Sequence, residues 1–176
     1  EPTPEQLELA RRYVGSYPSV ENVATAVDPP GSDCSEVTWL QEVLDASPAN
    51  LLLDLHNLYT NGMNLGFDSK AALMAIPAAR IRAIHIAGGV DVQVRGGSVR
   101  RIDDHLHDVP DAVYDLLELV GEHVPTPIDV VLERDGVFPR FEMLLAQIDR
   151  ARVALARGRA RAASRTGSQT GENGGA

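Results

Sequence analysis

The sequence has a single cysteine, few aromatic residues and no long apolar run. With only Cys34 among 176 residues, an intramolecular disulfide framework and zinc sites of the CxxC type are excluded. Aromatic residues make up 5% and the net charge is -9, which disfavours nucleic-acid binding, since that needs basic patches and stacking platforms. No run approaches the roughly 20 apolar residues that span a bilayer, and no signal peptide is recognisable. We therefore expect a cytoplasmic protein without nucleic-acid or membrane partners.

Helical and strand-like apolar patterns alternate along the chain, and apolar residues, at 44%, suffice for one core. Apolar spacing and flanking polar residues predict both kinds of element. The predicted helices cover residues 4 to about 15 (with Thr3 as N-cap), 35–46, 69–76, 111–123 and 138–156. The predicted strands cover 18–23, 50–55, 80–87 and 128–132, and residues 90–104 are predicted to be a loop or hairpin-like insertion.

This alternation predicts an α/β fold with a parallel sheet and right-handed crossovers. Four strands do not close a barrel, because a TIM barrel has eight strands and about 250 residues. Half of a TIM barrel and a small open sheet both fit, and we favour the partial barrel. It is predicted to occupy residues 1–156. Residues 157–176 lack an apolar face and are predicted to be a disordered tail.

Metal-ligand side chains recur where the predicted strands end. Glu21 follows the first apolar run, Asp54 and His56 follow the second, His85 lies on the third and Glu133 follows the fourth. Function is built at the carboxyl ends of parallel strands. Charges buried there are costly unless they are paired or bound to metal. These residues are therefore candidate metal ligands.

Two pairs, Asp54 with His56 and Asp103 with His105, share a spacing of two residues. On a strand this spacing places both side chains on one side. Carboxylates mixed with imidazoles, and no thiolate, suit iron, manganese or zinc. Taken singly, each residue is more often a helix cap, a loop salt bridge or a structural histidine. As a set they exceed what one ion needs, so the pattern is compatible with two or more metals.

Five short motifs then occur in the order typical of one known family. They are Leu-Leu-Leu-Asp-Leu-His-Asn-Leu-Tyr at 51–59, Asn-Leu-Gly-Phe-Asp at 64–68, Ile-His-Ile-Ala-Gly at 84–88, Ile-Asp-Asp-His at 102–105 with Val-Pro-Asp at 109–111, and Leu-Glu-Arg-Asp at 132–135. The sequence thereby resembles the DUF692 proteins, or multinuclear non-haem iron-dependent oxidative enzymes, which include the methanobactin biosynthesis oxidase. The resemblance runs from about residue 3 to 154 and covers the C-terminal half of that family's barrel.

The resemblance implies a xylose-isomerase-like TIM barrel that holds two or three iron ions. Such oxidoreductases use dioxygen to modify cysteines and other side chains of ribosomally made precursor peptides, as in natural-product biosynthesis, often with a partner protein that recognises the leader peptide. The iron ligands that it implies are Glu21, Asp54, His85, Asp103, His105 and Glu133. His56, where many relatives have asparagine, is implied as an added ligand for a third metal.

The sequence departs from the family pattern in two ways. The early strands of the family have no counterpart, so the chain is a fragment, a split enzyme that needs a complementing N-terminal half, or a decayed copy. Gly89 stands where relatives commonly have histidine. Two other functions stay open at this point. One is a sugar isomerase or endonuclease-like barrel that uses zinc or manganese, and the other is a non-catalytic half-barrel that only assembles with a partner.

Overall fold

Helices and strands alternate along most of the chain. The computed structural model describes residues 4–28 and 30–171, so the predicted cap Thr3 lies outside the described residues. The helices are α1 Pro4–Val14, α2 Glu36–Asp45, α3 Leu55–Leu65, α4 Ser69–Ala75, α5 Asp111–His123 and α6 Phe141–Gly171. The strands are β1 Val20–Glu21, β2 Leu51–Asp54, β3 Ile81–Ile86, β4 Gly89–Gln93, β5 Val99–Asp103 and β6 Asp129–Leu132.

Four strands form one parallel sheet in the order β1-β2-β3-β6. The predicted α/β fold, with parallel strands and alternating helices, is confirmed, and it is consistent with part of a TIM-type barrel. The register places Asp54 of β2 opposite His85 of β3, so the carboxyl ends of neighbouring strands carry ligand-type side chains side by side. Among the described residues, β1 and β6 each pair on one side only.

The central strands are apolar because helices cover the sheet. Leu51, Leu53, Ile84 and Ile86 are fully buried and belong to one core with the apolar residues of α5. Each such side chain contributes about 1.5–3 kcal/mol through burial. Continuous apolar runs are typical of parallel strands that are buried on both faces. The apolar strands therefore form a fixed platform under the polar carboxyl edge.

Strand β1 is shorter than the predicted strand over residues 18–23. After Glu21, the side chain of Asn22 takes the place of main-chain hydrogen bonds to β2. Its Oδ1 accepts from the Asp54 main-chain N–H at 2.8 Å, and its Nδ2 donates to the Asp54 carbonyl at 2.8 Å. A buried side chain thus takes over the bonding that a neighbouring strand residue would provide. The strand ends early, but the chain stays tied to the end of β2.

Helix α3 is absent from the predicted elements, and its presence corrects one inference. The carboxylate of Asp54 caps the helix by accepting from the Asn57 main-chain N–H at 2.7 Å. His56 therefore lies in the first helical turn, and the expectation that Asp54 and His56 share one side of a strand is wrong. The helix went unpredicted because it begins at Leu55, directly after β2 ends at Asp54, so no break in the sequence separates the helix from the apolar run of the strand.

The segment predicted as a loop or hairpin is an antiparallel hairpin. Strand β4 follows β3 almost directly, and Gly89 lies opposite Asp103 across the hairpin. Helix α3 supports β5, because the Asn64 side chain accepts from the Arg101 main-chain N–H and donates to the Arg101 carbonyl. The hairpin thus carries Asp103 and the following His105 to the polar end of the sheet.

Helix α6 continues to Gly171, beyond the predicted end at residue 156. The residues from 157 to 171, predicted as part of a disordered tail, are therefore helical, while 172–176 lie outside the described residues. The helix is held against α5 by Arg161 and Arg165, which pair with Glu118 and Glu122. Gly158 also permits a close approach of the two helices, since a Cβ there would lie 2.9 Å from the Gly121 Cα. Ion pairs and small residues replace the apolar face that the prediction required.

Within the described residues, no helix combines the length and the hydropathy needed to cross a membrane.

Candidate metal centre

Three ligand-type side chains meet at the carboxyl ends of β1, β2 and β3. Glu21, Asp54 and His85 each offer one ligand atom, and these atoms lie within 4.8 Å of one another. His85 Nδ1 is 3.2 Å from Glu21 Oε1. The parallel ladder sets this arrangement, because neighbouring strands end at the same edge. We call this set the strand group.

A second set consists of Asp54, His105 and Glu133, whose ligand atoms also lie within 4.8 Å of one another. Glu133 comes directly after β6, and its main-chain N–H donates to the Ile86 carbonyl at 3.0 Å. His105 follows the hairpin, and its Nδ1 is 3.5 Å from Glu133 Oε2. We call this set the hairpin group.

The two groups share carboxylates. Asp54 belongs to both sets. Glu133 also faces both ways, since its Oε1 is 3.0 Å from His85 Nδ1 while its Oε2 faces His105. A carboxylate placed between two sets of ligands can bridge two cations. The geometry therefore fits a site for two neighbouring metal ions.

Asp54 is the most strongly perturbed group of the site. Its side chain is 0% exposed, one oxygen accepts from the Asn57 N–H, and Oδ2 has no hydrogen-bond partner among the described residues. Burial, together with the negative charges of Asp103, Glu133 and Glu21, raises the pKa of Asp54 to about 7 against the lowering effect of the Asn57 bond. A buried carboxylate without a counter-charge is costly. A bound cation would remove that cost.

His105 is held in an unusual conformation among carboxylates. Its φ of 54° lies in the left-handed region, which costs a non-glycine residue about 1–2 kcal/mol, and such strain clusters at functional sites. Burial acts to lower the pKa of its imidazole, but the charges of Asp103, Glu133 and Asp135 raise it above the usual value. Its Nδ1 lies 3.3 Å from Asp135 Oδ2, and its Nε2 lies 3.0 Å from Asp103.

The residues present fit a metal ion. Two buried ligand-type atoms, Asp54 Oδ2 and His85 Nδ1, have no hydrogen-bond partner in the described part of the chain, although His85 Nδ1 is within 3.2 Å of two carboxylates. Buried polar atoms normally have a partner. Mixed carboxylate and imidazole donors suit iron, manganese or zinc. The unmatched atoms and the donor set therefore both point to cations.

His56 and Asp103 lie beside the two groups and belong to neither. The fully buried His56 imidazole contacts Asp103 Oδ1 through Nδ1 at 2.6 Å, while its Nε2 is buried without a partner among the described residues. A Cβ added at Gly89 would lie 2.2 Å from the Ile102 carbonyl oxygen and 2.6 Å from His56 Cε1, so the main chain of β5 and the imidazole together occupy the space that a side chain at position 89 would need. The structure thus brings together Glu21, Asp54, His85, His105 and Glu133, and the ligand roles of His56 and Asp103 stay predictions.

Four asparagines around the site, which were not among the predicted metal ligands, hold its main chain in place. Asn22 ties the end of β1 to Asp54, and Asn57, Asn61 and Asn64 on α3 bond to the main chain of residues 22–25. The signal was present in the sequence, since 57, 61 and 64 have the spacing of one helix face. It was overlooked because residues 55–65 were not predicted to be helical.

The sequence of residues 4–156 matches the family model described as "RiPP precursor modification enzyme MbnB/TglH/ChrH". RiPPs are ribosomally synthesised and post-translationally modified peptides. The predicted resemblance to the DUF692 family is thereby confirmed. The match covers both ligand groups.

Several relatives carry the family name UPF0276. The chain is 39% identical over 144 residues to a UPF0276 protein of Bordetella bronchiseptica, an alignment that covers 82% of this chain and 50% of that protein. It is 39% identical over 134 residues to a UPF0276 protein of Pseudomonas aeruginosa, covering 76% and 45% respectively. A UPF0276 protein of Streptomyces avermitilis is 33% identical over 158 residues, covering 90% and 31%. The chain spans about half the length, or less, of these relatives.

Proposed function

The chain belongs to the RiPP precursor modification enzyme family MbnB/TglH/ChrH, and from that premise we propose that it carries half of the active site of an iron-dependent oxidase acting on a ribosomally made precursor peptide. The observation that carries the proposal is the position of Asp54 in both ligand groups. A buried carboxylate common to two neighbouring ligand groups would suit a pair of redox-active ions that act on a bound peptide.

The residues have distinct parts in this proposal. Glu21 and His85 would hold one ion and His105 would hold the other, and Asp54 and Glu133 are the carboxylates that both groups would share. When bound, the ions supply redox chemistry and open positions for substrate and dioxygen. The Asn57 N–H orients Asp54 by donating to Oδ1, and the Asn22 side chain fixes the main chain of Asp54 on both its N–H and its carbonyl. These bonds keep the shared carboxylate in place when the ions are absent.

A complementing N-terminal half is part of the proposal. The described sheet has two open edges, β1 and β6, and the chain spans about half of its relatives. Apolar side chains in and after β6 are exposed, with Val131 at 45%, Phe138 at 69% and Phe141 at 68%. Strands of a complementing half would cover these edges, whose unpaired main-chain groups otherwise invite aggregation. A partner that recognises the leader peptide is proposed from the family resemblance.

The first test is metal loading. The chain is reconstituted without oxygen with Fe2+, and in parallel with Zn2+ and Mn2+, and bound metal is measured by elemental analysis and Mössbauer spectroscopy. We expect about two irons per chain with spectra of coupled ions. Glu133→Ala should lose this uptake, whereas Glu142→Ala should keep it, since Glu142 is exposed on α6 and pairs with Arg140.

The second test is the reaction. Small open reading frames and any candidate complementing half are first sought beside the gene; iron-loaded chain is then given oxygen and each encoded peptide, with and without the candidate half, and the peptide mass is followed. A mass change that requires iron, dioxygen and Glu133 supports the oxidase. Stoichiometric zinc with no iron uptake would instead favour a hydrolase or isomerase, and retention of iron by Glu133→Ala would refute the ligand assignment.

A further inference from the structure

A buried imidazole connects helix α3 with the hairpin. His56 is 0% exposed and lies in the first turn of α3, two residues after Asp54, which caps this helix. Its Nδ1 is 2.6 Å from Oδ1 of Asp103, the last residue of β5. Because an ionised carboxylate can only accept hydrogen bonds, the neutral ring carries its hydrogen on Nδ1 and donates it to Asp103. The contact therefore ties the hairpin to a helical turn that the sheet holds in place.

The other oxygen of Asp103 faces the hairpin group. His105 Nε2 lies 3.0 Å from Asp103 Oδ2, so the carboxylate lies between two imidazoles. Since Oδ1 is bonded to His56, the carboxylate is not free to rotate, and Oδ2 stays directed at His105. Hydrogen-bonded groups of this kind orient the side chains that bind metal. The position of the His105 imidazole thus depends on His56, through Asp103.

The orientation of the His56 ring does not suit a metal ligand. Neither ligand group found among the described residues contains His56. Its Nδ1 is turned to Asp103, and its Nε2 is buried without a hydrogen-bond partner in the described part of the chain. The Nε2 side of the ring lies against β4, where a Cβ added at Gly89 would be 3.0 Å from Nε2. An ion at Nε2 would therefore meet a glycine where it needs a second ligand.

We propose that His56 is a positioning residue of this centre, which holds Asp103 by one oxygen and so fixes the other oxygen toward His105, without itself binding a metal ion. The inference rests on the proposed metal-dependent function and deepens it. It gives His56 a part other than the ligand of a third metal that the family resemblance implies. Two consequences can be measured: no ion should bond to the His56 ring, and any side chain that donates from the same place should replace it.

The first test uses the unaltered chain, labelled with nitrogen-15 in its histidines and loaded with cadmium-113. A one-bond coupling between cadmium and nitrogen identifies each nitrogen that binds the ion. With five histidines in the sequence, the signals can be assigned by single substitutions. We expect coupling to His85 and His105 and none to His56, whose Nδ1 should show a directly attached hydrogen. Coupling of cadmium to either nitrogen of His56, or a hydrogen on Nε2 instead of Nδ1, would overturn the proposal.

A matched pair of variants tests the hydrogen bond. His56→Asn keeps an N–H donor at the same number of bonds from Cβ as Nδ1, whereas His56→Leu keeps a similar volume without a donor. The dissociation constants of both ions are measured by calorimetric titration with Cd2+. Because loss of such a supporting group weakens metal binding about 10–100-fold, we expect one ion to bind at least 10-fold more weakly to His56→Leu and less than 3-fold more weakly to His56→Asn. Equal weakening by both, or none by His56→Leu, would overturn the proposal.

The outcomes separate this inference from the proposed function. Should His56→Leu lose its circular dichroism spectrum, the nitrogen spectra of the unaltered chain still decide. A chain that binds no cadmium would overturn the metal centre, and the inference with it. Coupling of cadmium to His56 in a loaded chain would overturn the inference alone and leave the metal centre standing with one more ligand.

Discussion

The two ligand groups of the candidate centre are positioned by different means. In the strand group, Glu21, Asp54 and His85 come from adjacent parallel strands, and the ladder of main-chain hydrogen bonds places them. In the hairpin group, His105 comes from an irregular segment, has a φ of 54° and is placed by carboxylates on three sides. Strand-borne ligands are therefore preformed by the fold, while His105 depends on contacts that a mutation or a change of charge can disturb.

The difference predicts a hierarchy among the ligands. Asp54 is positioned by the sheet, caps α3 and belongs to both ligand groups, so its replacement should reduce the binding of both ions. His105 belongs to one group, so its replacement should reduce the binding of one ion. The following predictions test this order, starting with the largest effect.

Asp54→Asn should lose both metal ions. The amide keeps an oxygen that can accept from the Asn57 N–H, so α3 stays capped, but it removes the shared negative charge. We expect metal content to fall from about two ions per chain to below half an ion, as measured by elemental analysis after iron loading. Asp68→Asn is the matched control, because Asp68 caps α4 through a bond to the Lys70 N–H and lies outside both groups. Full iron content in Asp54→Asn would show that the groups do not depend on a common ligand.

His105→Ala should lose one ion and keep the other. The strand group contains no atom of His105, so about one iron per chain should remain, and the Mössbauer signature of coupled ions should disappear. Loss of both ions would contradict the independence of the strand group and would indicate that the hairpin closes the whole site.

The metal-free protein should lose stability as the pH rises from about 4.5 to 6.5. The pKa of Asp54 is about 7 in the folded chain, against an ordinary value of 3.8 for an aspartate, so the folded state binds a proton that the unfolded state has released, and folding is favoured at the lower pH. One such proton changes the free energy of unfolding by about 1.4 kcal/mol per pH unit. Over this interval the loss is therefore on the order of a few kcal/mol.

Urea unfolding in EDTA measures this loss. Asp54→Asn carries no titrating carboxyl at this position, so its stability should change less over the same interval, and the difference between the two proteins isolates Asp54 from the other acids. Parallel pH profiles would refute the raised pKa.

His105→Gly should be more stable than His105→Ala by about 1 kcal/mol without metal, because glycine adopts a φ of 54° at little cost. Both variants lack the imidazole, so the comparison isolates the backbone from the ligand. Thermal unfolding in EDTA provides the measurement. Equal melting temperatures would mean that residue 105 relaxes out of the left-handed region when its imidazole is gone.

The alternation of helices with parallel strands, and the place of most candidate ligands at strand ends, could be predicted because both follow from local patterns. Apolar runs identified β2, β3 and β6, and the rule that function lies at carboxyl ends identified Glu21, Asp54, His85 and Glu133 as candidates, whose ligand role stays a prediction. What could not be predicted depends on buried polar contacts. Helix α3 follows β2 without a break that would separate it from the strand, and its asparagines acquire a role only once residues 22–25 lie against them.

The later part of α6 escaped prediction for a related reason. Its stability against α5 comes from the pairing of Arg161 and Arg165 with acids about 40 residues earlier. Such pairings have no signature within the segment itself. The conformation of His105 likewise depends on the carboxylates of Asp103, Glu133 and Asp135, which only the folded chain brings together.

Position 89 is closed to larger residues from two directions, and this limits how the centre can change during evolution. A Cβ there would lie 2.2 Å from the Ile102 carbonyl oxygen of β5 and 2.6 Å from His56 Cε1. Because the first of these contacts is with the main chain, a smaller residue at position 56 does not by itself make room at 89. A descendant chain that gains a side chain at 89 is therefore expected to shift the β4–β5 pairing as well as to lose the bulk of residue 56.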